Sequence, residues 1–160
     1  MSIFYHVGPK TYKIGDVIDP TFGRGYQALN YDPEYFERGH WGSLLMLSRE
    51  LVFENVRLRK FPHKPSRFDS VYACPSLSDL DAYIADLPTR KRLYEFKYEV
   101  EMVNPNLPSH IGDYTVCYWK SGTTYAALEK IAEDWWSEKF QKNEILTLSP
   151  LRVVKIIGPA

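Results

Sequence analysis

The chain has 160 residues, 44% hydrophobic and 25% charged, and its 20 basic and 20 acidic side chains cancel to a formal charge of zero. That length fits one domain spanning 1–160, and 12 Tyr, 8 Phe and 4 Trp are too many aromatics for a disordered chain. The neutral balance argues against a non-specific nucleic-acid binder, and no apolar run nears the ~20 residues of a bilayer span.

Ile3-Phe4-Tyr5-His6-Val7 is apolar and aromatic and stops at Gly8-Pro9, the pattern of a short strand. Turn signals follow at Gly15-Asp16 and Asp19-Pro20. Residues 20–42 place Phe22, Tyr26, Tyr31, Tyr35, Phe36 and Trp41 without period among glycines. They read as a long aromatic loop, a segment type usually kept for function. From Ser43 to about Arg59, Leu44, Leu47, Leu51, Val52 and Val56 recur at helical spacing, and Pro62 and Pro65 end the run.

Ser70-Val71-Tyr72-Ala73-Cys74 is a buried strand candidate that Pro75 stops. Ser76 then stands as the N-cap of a helix with Leu77, Leu80, Ile84 and Leu87 on one face. Arg92 to Val103 alternates polar and apolar, with only Leu93 out of step, so one face is buried and one is wet. Tyr114 to Trp119 reads as a strand or as the start of a helix. Residues 123–140 form an amphipathic helix with Leu128, Ile131 and Trp135 on one stripe and Ala132 and Trp136 beside it. Glu144–Leu148 and Leu151–Ile157 are two strands, a hairpin or neighbours in one sheet. Strands and helices mix without β-α-β alternation, and neither GxGxxG nor a P-loop lysine motif is present, so the class is α+β.

Cys74 and Cys117 are too few for a disulfide framework and lack zinc spacing. Their apolar neighbours mark them as core thiols. His6, His40, His63 and His110 are too dispersed for a metal centre, and no GxSxG elbow occurs. Met1 to His6 lacks the charged and apolar regions of a signal peptide, which points to a cytoplasmic protein. His6 ends a strand beside a turn, where an imidazole faces a pocket or is satisfied at the core edge. Arg57, Arg59, Lys60, Lys64 and Arg67 form a basic cluster, either a solvated face or a contact for RNA, DNA or an acidic protein.

Tyr5-His6-Val7-Gly8 followed by Gly15-Asp16-Val17-Ile18-Asp19-Pro20 resembles the opening of the rifampin ADP-ribosyltransferase group. Ser70-Val71-Tyr72-Ala73 running into a helix resembles the second motif of ADP-ribosyltransferases. Asn143-Glu144-Ile145-Leu146 before an apolar terminal strand resembles the third motif of their His-Tyr-Glu class. Ser149-Pro150-Leu151-Arg152-Val153-Val154 is similar to the end of the rifampin group. Pro65-Ser66-Arg67-Phe68 resembles a segment of small phage and bacterial proteins with an ADP-ribosyltransferase-like fold. The likeness covers nearly the whole chain, but residues 20–64 have no counterpart in it.

The resemblance implies two small, mostly antiparallel sheets that form a split cleft for NAD, flanked by helices. It implies a cytoplasmic mono-ADP-ribosyltransferase, a glycosyltransferase that uses NAD as substrate. ADP-ribose would pass to an acceptor that the sequence does not identify: a protein, a nucleic acid or a small molecule, in the setting of a phage or bacterial effector. Neither a metal nor a membrane is implied.

In that scheme His6 hydrogen-bonds ribose hydroxyls, and the backbone around Gly8 holds the carboxamide. Tyr72 stacks on the nicotinamide and Tyr83 closes its other side. Arg67 or Arg24 pairs with the pyrophosphate. Glu144 accepts from the ribose 2′-OH and favours the oxocarbenium-like transition state of C–N cleavage. Two departures stand out. Val7 separates His6 from Gly8, where the family keeps a small residue directly after the histidine. The rifampin group also carries its acid in the central loop, where Asp113 follows Gly112 and competes with Glu144 for the role. An NAD glycohydrolase and a non-catalytic module of the same fold are the alternatives.

Overall fold

The computed structural model describes residues 2–9, 11–20, 41–86, 95–117, 122–139 and 142–160. In chain order the elements are β1 (Ile3–Pro9), β2 (Val17–Ile18), α1 (Trp41–Lys60), β3 (Val71–Ala73) and α2 (Leu77–Ala85). Then come β4 (Glu95–Met102), β5 (Ser109–Gly112), a 3₁₀ turn (Tyr114–Cys117), α3 (Tyr125–Trp136), β6 (Glu144–Thr147) and β7 (Leu151–Pro159). The protein is α+β. Its strands make a four-stranded sheet in the order β1-β4-β7-β2 and a three-stranded sheet in the order β3-β6-β5. Every strand pairing among the described residues is antiparallel.

The alternation in β4 sets the large sheet. Tyr98 and Val100 are fully buried, while Lys97, Glu99 and Glu101 line the other face. There Arg152 of β7 meets Glu101 at 3.1 Å and Lys155 meets Glu99 at 3.0 Å, a cross-strand charge ladder. The inner face of the large sheet (Ile18, Tyr98, Val100, Leu151, Val153) packs on one face of the small sheet (Val71, Ala73, Ile145). The other face of the small sheet carries Leu146 and Tyr72 and meets α1 and α3 through Phe53, Val56, Leu128, Ala132, Trp135 and Trp136. The order of layers is therefore large sheet, small sheet, helices. The α2 helix lies on β1, with Leu80 and Ile84 against Tyr5, Val7 and Cys74.

Among the described residues, one isolated β-bridge joins the two sheets. Tyr5 of β1 exchanges backbone hydrogen bonds with Cys74, just past β3, at 2.9 and 2.7 Å. The N-terminal strand thus belongs to the large sheet yet touches the edge of the small one.

Several expectations change. The last two strands are neither a hairpin nor neighbours. β6 pairs with β3 and β5, and β7 pairs with β4 and β2. The corner between them is held by side chains: the Asn104 amide donates to Ser149 Oγ at 2.9 Å, and the Ser149 amide to Thr147 Oγ1 at 3.0 Å. Tyr114–Cys117 is a 3₁₀ turn. Asp113 accepts from the Thr115 amide at 2.9 Å and offers the backbone a local alternative to a strand. In α1 the inward positions are Glu50, Val52, Phe53, Val56 and Arg57, and Leu51 is 51% exposed. Of the positions at helical spacing, Val52 and Val56 turn inward and Leu51 does not. The short strands β2 and β5 show no polar–apolar alternation in their sequence and pair along the edges of β7 and β6. Ser76 caps α2 as expected, accepting from the Asp79 amide at 3.1 Å. Of the aromatic segment 20–42, residues 21–40 lie outside the described residues. No helix among the described residues is long and apolar enough to cross a membrane.

Candidate functional site

β1, β3 and β6 converge around the Tyr5–Cys74 junction, and each carries one residue of the His-Tyr-Glu set. Tyr72 lies opposite Leu146 and Ala73 opposite Ile145, so Glu144 stands one step further along, beside Cys74. Strand alternation then puts Tyr72, Leu146 and Glu144 on the helix-facing side of the small sheet.

His6 donates from Nδ1 to the Tyr72 carbonyl at 2.8 Å. A carbonyl only accepts, so this bond fixes the tautomer and leaves Nε2 with its lone pair. Burial lowers the His6 pKa, and the Tyr72 carbonyl opposes that only in part, so the ring is neutral at pH 7. Nε2 has no hydrogen-bond partner among the described residues, and His6 is only partly buried. Gly8, two residues on and on the same face, makes room for it. A Cβ there would lie 3.1 Å from His6 Nε2 and 2.7 Å from Tyr12 Cε2. The intervening Val7 points to the opposite face, toward α2. Alternation therefore leaves the small residue at Gly8 adjacent to the ring despite the insertion.

Glu144 is 14% exposed at its side chain. Its Oε2 is buried without a hydrogen bond, so the accessible part of the carboxylate is Oε1. Burial raises its pKa, Arg67 opposes that, and Glu50 adds to the rise. Arg67 Nη1, likewise buried without a hydrogen-bond partner, stands 3.7 Å from Oε2.

Arg67 itself is 5% exposed and turned inward. Its Nε and Nη2 grip the Glu50 carboxylate at 2.7 and 3.2 Å, a two-point pairing suited to a planar guanidinium. The same guanidinium lies 4.8 Å from the Trp135 ring centre, 5.2 Å from Phe53 and 5.4 Å from Tyr72. Glu50 is 3% exposed and also receives Arg49, from Nη2 at 2.6 Å. Burial works against its charge, but the two arginines hold its carboxyl below the usual range. Arg49 continues to the Cys117 carbonyl at 3.1 Å. This geometry differs from a pyrophosphate contact for Arg67: Glu50 holds the guanidinium inside the helix layer. Arg24 lies outside the described residues.

Tyr72 is partly buried, with one side toward Arg67 and its hydroxyl donating to the Arg67 carbonyl at 3.0 Å. Tyr83 sits on α2 with its ring edge-on to Tyr114, 5.2 Å between centres, in the cluster around Leu80 and Ile84. Asp113 is engaged as a cap: it accepts from the Thr115 amide and from Thr115 Oγ1 at 2.6 Å, which holds its pKa down against burial. Glu144 Oε2 is buried without a donor, whereas Asp113 accepts two hydrogen bonds at Oδ1 and has Lys142 3.9 Å from Oδ2.

The basic cluster is mostly tied up between helices. Arg59, Lys60 and Lys64 pair with Glu129, Glu133 and Glu138, and Arg57 pairs with Glu54 at 2.7 Å. Both cysteines are buried, and burial pushes each thiol up to about 12. Among the described residues, no group of three or more His, Cys, Asp and Glu is placed to hold a metal ion.

A family profile matches residues 10–159. The chain belongs to the DUF2441 family, described as "Protein of unknown function (DUF2441)". No curated protein matches the chain. In this DUF2441 chain the match includes Tyr72, Glu144, Arg67 and Glu50, and begins after His6 and Gly8.

The residue that sequence reading passed over is Glu50. A signal was available: it falls at helical spacing from Phe53 and Arg57, on the face of the helix that also carries Val52 and Val56. A carboxylate on a buried stripe needs a cation, and the likeness had sent Arg67 elsewhere.

Proposed function

We propose that the chain is a mono-ADP-ribosyltransferase that cleaves NAD at the nicotinamide–ribose bond. The observation that carries this reading is the convergence of β1, β3 and β6 at the Tyr5–Cys74 junction, with His6, Tyr72 and Glu144 on them. Two antiparallel sheets meeting at such a seam are compatible with the split NAD cleft of the ADP-ribosyltransferase-like fold.

His6 Nε2 accepts from a ribose hydroxyl, its lone pair fixed by the Nδ1 bond. The Tyr72 ring takes the nicotinamide. The C1′–N bond breaks, nicotinamide departs with the bonding electrons, and positive charge spreads over C1′ and the ring oxygen. Glu144 Oε1 accepts from the ribose 2′-OH, and the carboxylate stabilises that charge more than it stabilises ground-state NAD. The acceptor's nucleophile then bonds to C1′ and releases a proton. Glu50 and Glu144 together offset Arg67 and Arg49, so the cations behind Tyr72 do not repel a cationic pyridinium.

The test is nicotinamide release from NAD by purified protein, with and without host-cell lysate. Release that needs lysate is expected, with a loss on the order of 10²–10³-fold in Glu144→Gln. Equal release without lysate would assign a glycohydrolase. No release, together with no thermal shift on adding NAD, overturns the reading in favour of a non-catalytic module.

A further inference from the structure

Two of the unsatisfied buried polar atoms among the described residues belong together. Arg67 Nη1 and Glu144 Oε2 are both buried and 3.7 Å apart, too far for a hydrogen bond and close enough for a strong charge interaction. Arg67 cannot swing closer because Glu50 holds its other two nitrogens and because Trp135, Phe53 and Tyr72 surround its plane.

We infer that Arg67 is the positioning residue of Glu144 and that Glu50, held by Arg49, is the anchor that keeps Arg67 at this distance. Arg67 supplies the positive charge that lets a buried carboxylate stay ionised. Glu50 prevents the collapse into a two-point salt bridge that would occupy both Glu144 oxygens. Oε2 is thereby directed inward and Oε1 is left open to a ligand.

Among the described residues, the charged and titratable groups around Glu144 come from several packed elements. They are Glu50 and Arg49 from α1, Arg67 from the loop before β3, Tyr72 and Cys74 along β3, Asp113 before the 3₁₀ turn, and Cys117 within it. The two thiols and the phenol are neutral at pH 7, since burial raises all three. Asp113 is fixed by its cap. Among the described residues, Arg67, Arg49, Glu50 and the ionised Asp113 therefore remain as the charges that set Glu144.

The consequence for catalysis rests on the NAD reading; the positioning itself does not. The experiment is a ¹³C NMR titration of the Glu144 side-chain carboxyl in the intact chain, assigned with Glu144→Gln. Arg67→Gln removes the charge and is expected to raise the Glu144 pKa by about one unit or more. Arg67→Lys keeps the charge and is expected to restore most of the wild-type value, which a purely structural role would not require. Glu50→Gln should move Glu144 the opposite way, because a like charge is gone and Nη1 is released toward it; this variant serves if Arg67→Gln does not fold. A Glu144 titration that is unchanged in a folded Arg67→Gln or Glu50→Gln variant overturns the inference. Shifts as expected in a protein that releases no nicotinamide support the positioning and overturn the NAD reading instead. Nicotinamide release by a protein whose Glu144 titration ignores Arg67 does the reverse.

Discussion

Gly112→Ala is the sharpest test of how the helix layer supports the site. A Cβ at Gly112 would lie 2.4 Å from three atoms of the Trp135 indole, Nε1, Cε2 and Cζ2. Ordinary carbon contacts need about 3.5–4.0 Å, so the ring must retreat by roughly 1 Å. It has nowhere to go. Trp135 is fully buried, with His110 at 4.4 Å, Trp136 at 4.6 Å and Phe53 at 5.7 Å between ring centres. Overpacking costs about 1–3 kcal/mol, and a rigid ring wedged on several sides belongs at the upper end. For a domain of this size each kcal/mol moves Tm by about 2–4 °C, so a drop of roughly 6–12 °C is expected. Thermal unfolding followed by circular dichroism measures it, and tryptophan emission reports the displaced indole. Arg67 lies 4.8 Å from the Trp135 ring, so the displacement should also reach the Glu144 titration. A loss below about 1 kcal/mol with unaltered emission would refute the packing argument.

Gly8→Ala should leave the fold nearly intact, because the backbone there is ordinary strand, but should displace His6 Nε2 and Tyr12. Nicotinamide release is expected to fall at least ~10-fold with a Tm change of only a few degrees; wild-type turnover would remove His6 from the mechanism. His110 is buried, donates from Nε2 to the Trp135 carbonyl at 3.0 Å and leaves Nδ1 without a partner. Burial, helped by Lys64, lowers its pKa to about 4. The unfolded chain binds that proton first, so stability is full above pH ~6.5 and declines as pH falls toward 4, by about 3 kcal/mol in all. Urea unfolding across this window should show a slope up to ~1.4 kcal/mol per pH unit that His110→Gln removes; equal slopes in both proteins would refute it. Glu144 carries a raised pKa, so its ionised form opposes folding above that value, and Glu144→Gln should gain Tm at pH 8 while losing activity. A lower Tm at pH 8 would show that the Arg67 interaction outweighs the burial of the charge.

The amino-acid sequence by itself determined the α+β class, the buried strand at Tyr72, the Ser76 cap and the alternating strand β4. Each of these follows from local chemistry: side-chain period, a proline stop or a capping hydroxyl. Tyr72 and Glu144 are singled out by the motifs that resemble ADP-ribosyltransferases, and His6 also by its place beside a turn. Only the tertiary structure decided where β6 and β7 part company, since antiparallel edges are chosen between strands far apart in the chain. It alone decided that Arg67 faces Glu50 and that Asp113 is a cap. The same holds for the space that Gly8 leaves to an imidazole two residues away. A buried guanidinium must take the nearest carboxylate, and which carboxylate is nearest depends on how α1 is rotated against the small sheet. The apolar spacing groups Leu51 with Val52 and Val56, but Phe53 packs on Trp135 in the core and Leu51 is left at the surface. Packing volume settled that rotation, and with it the charge that stands behind Glu144.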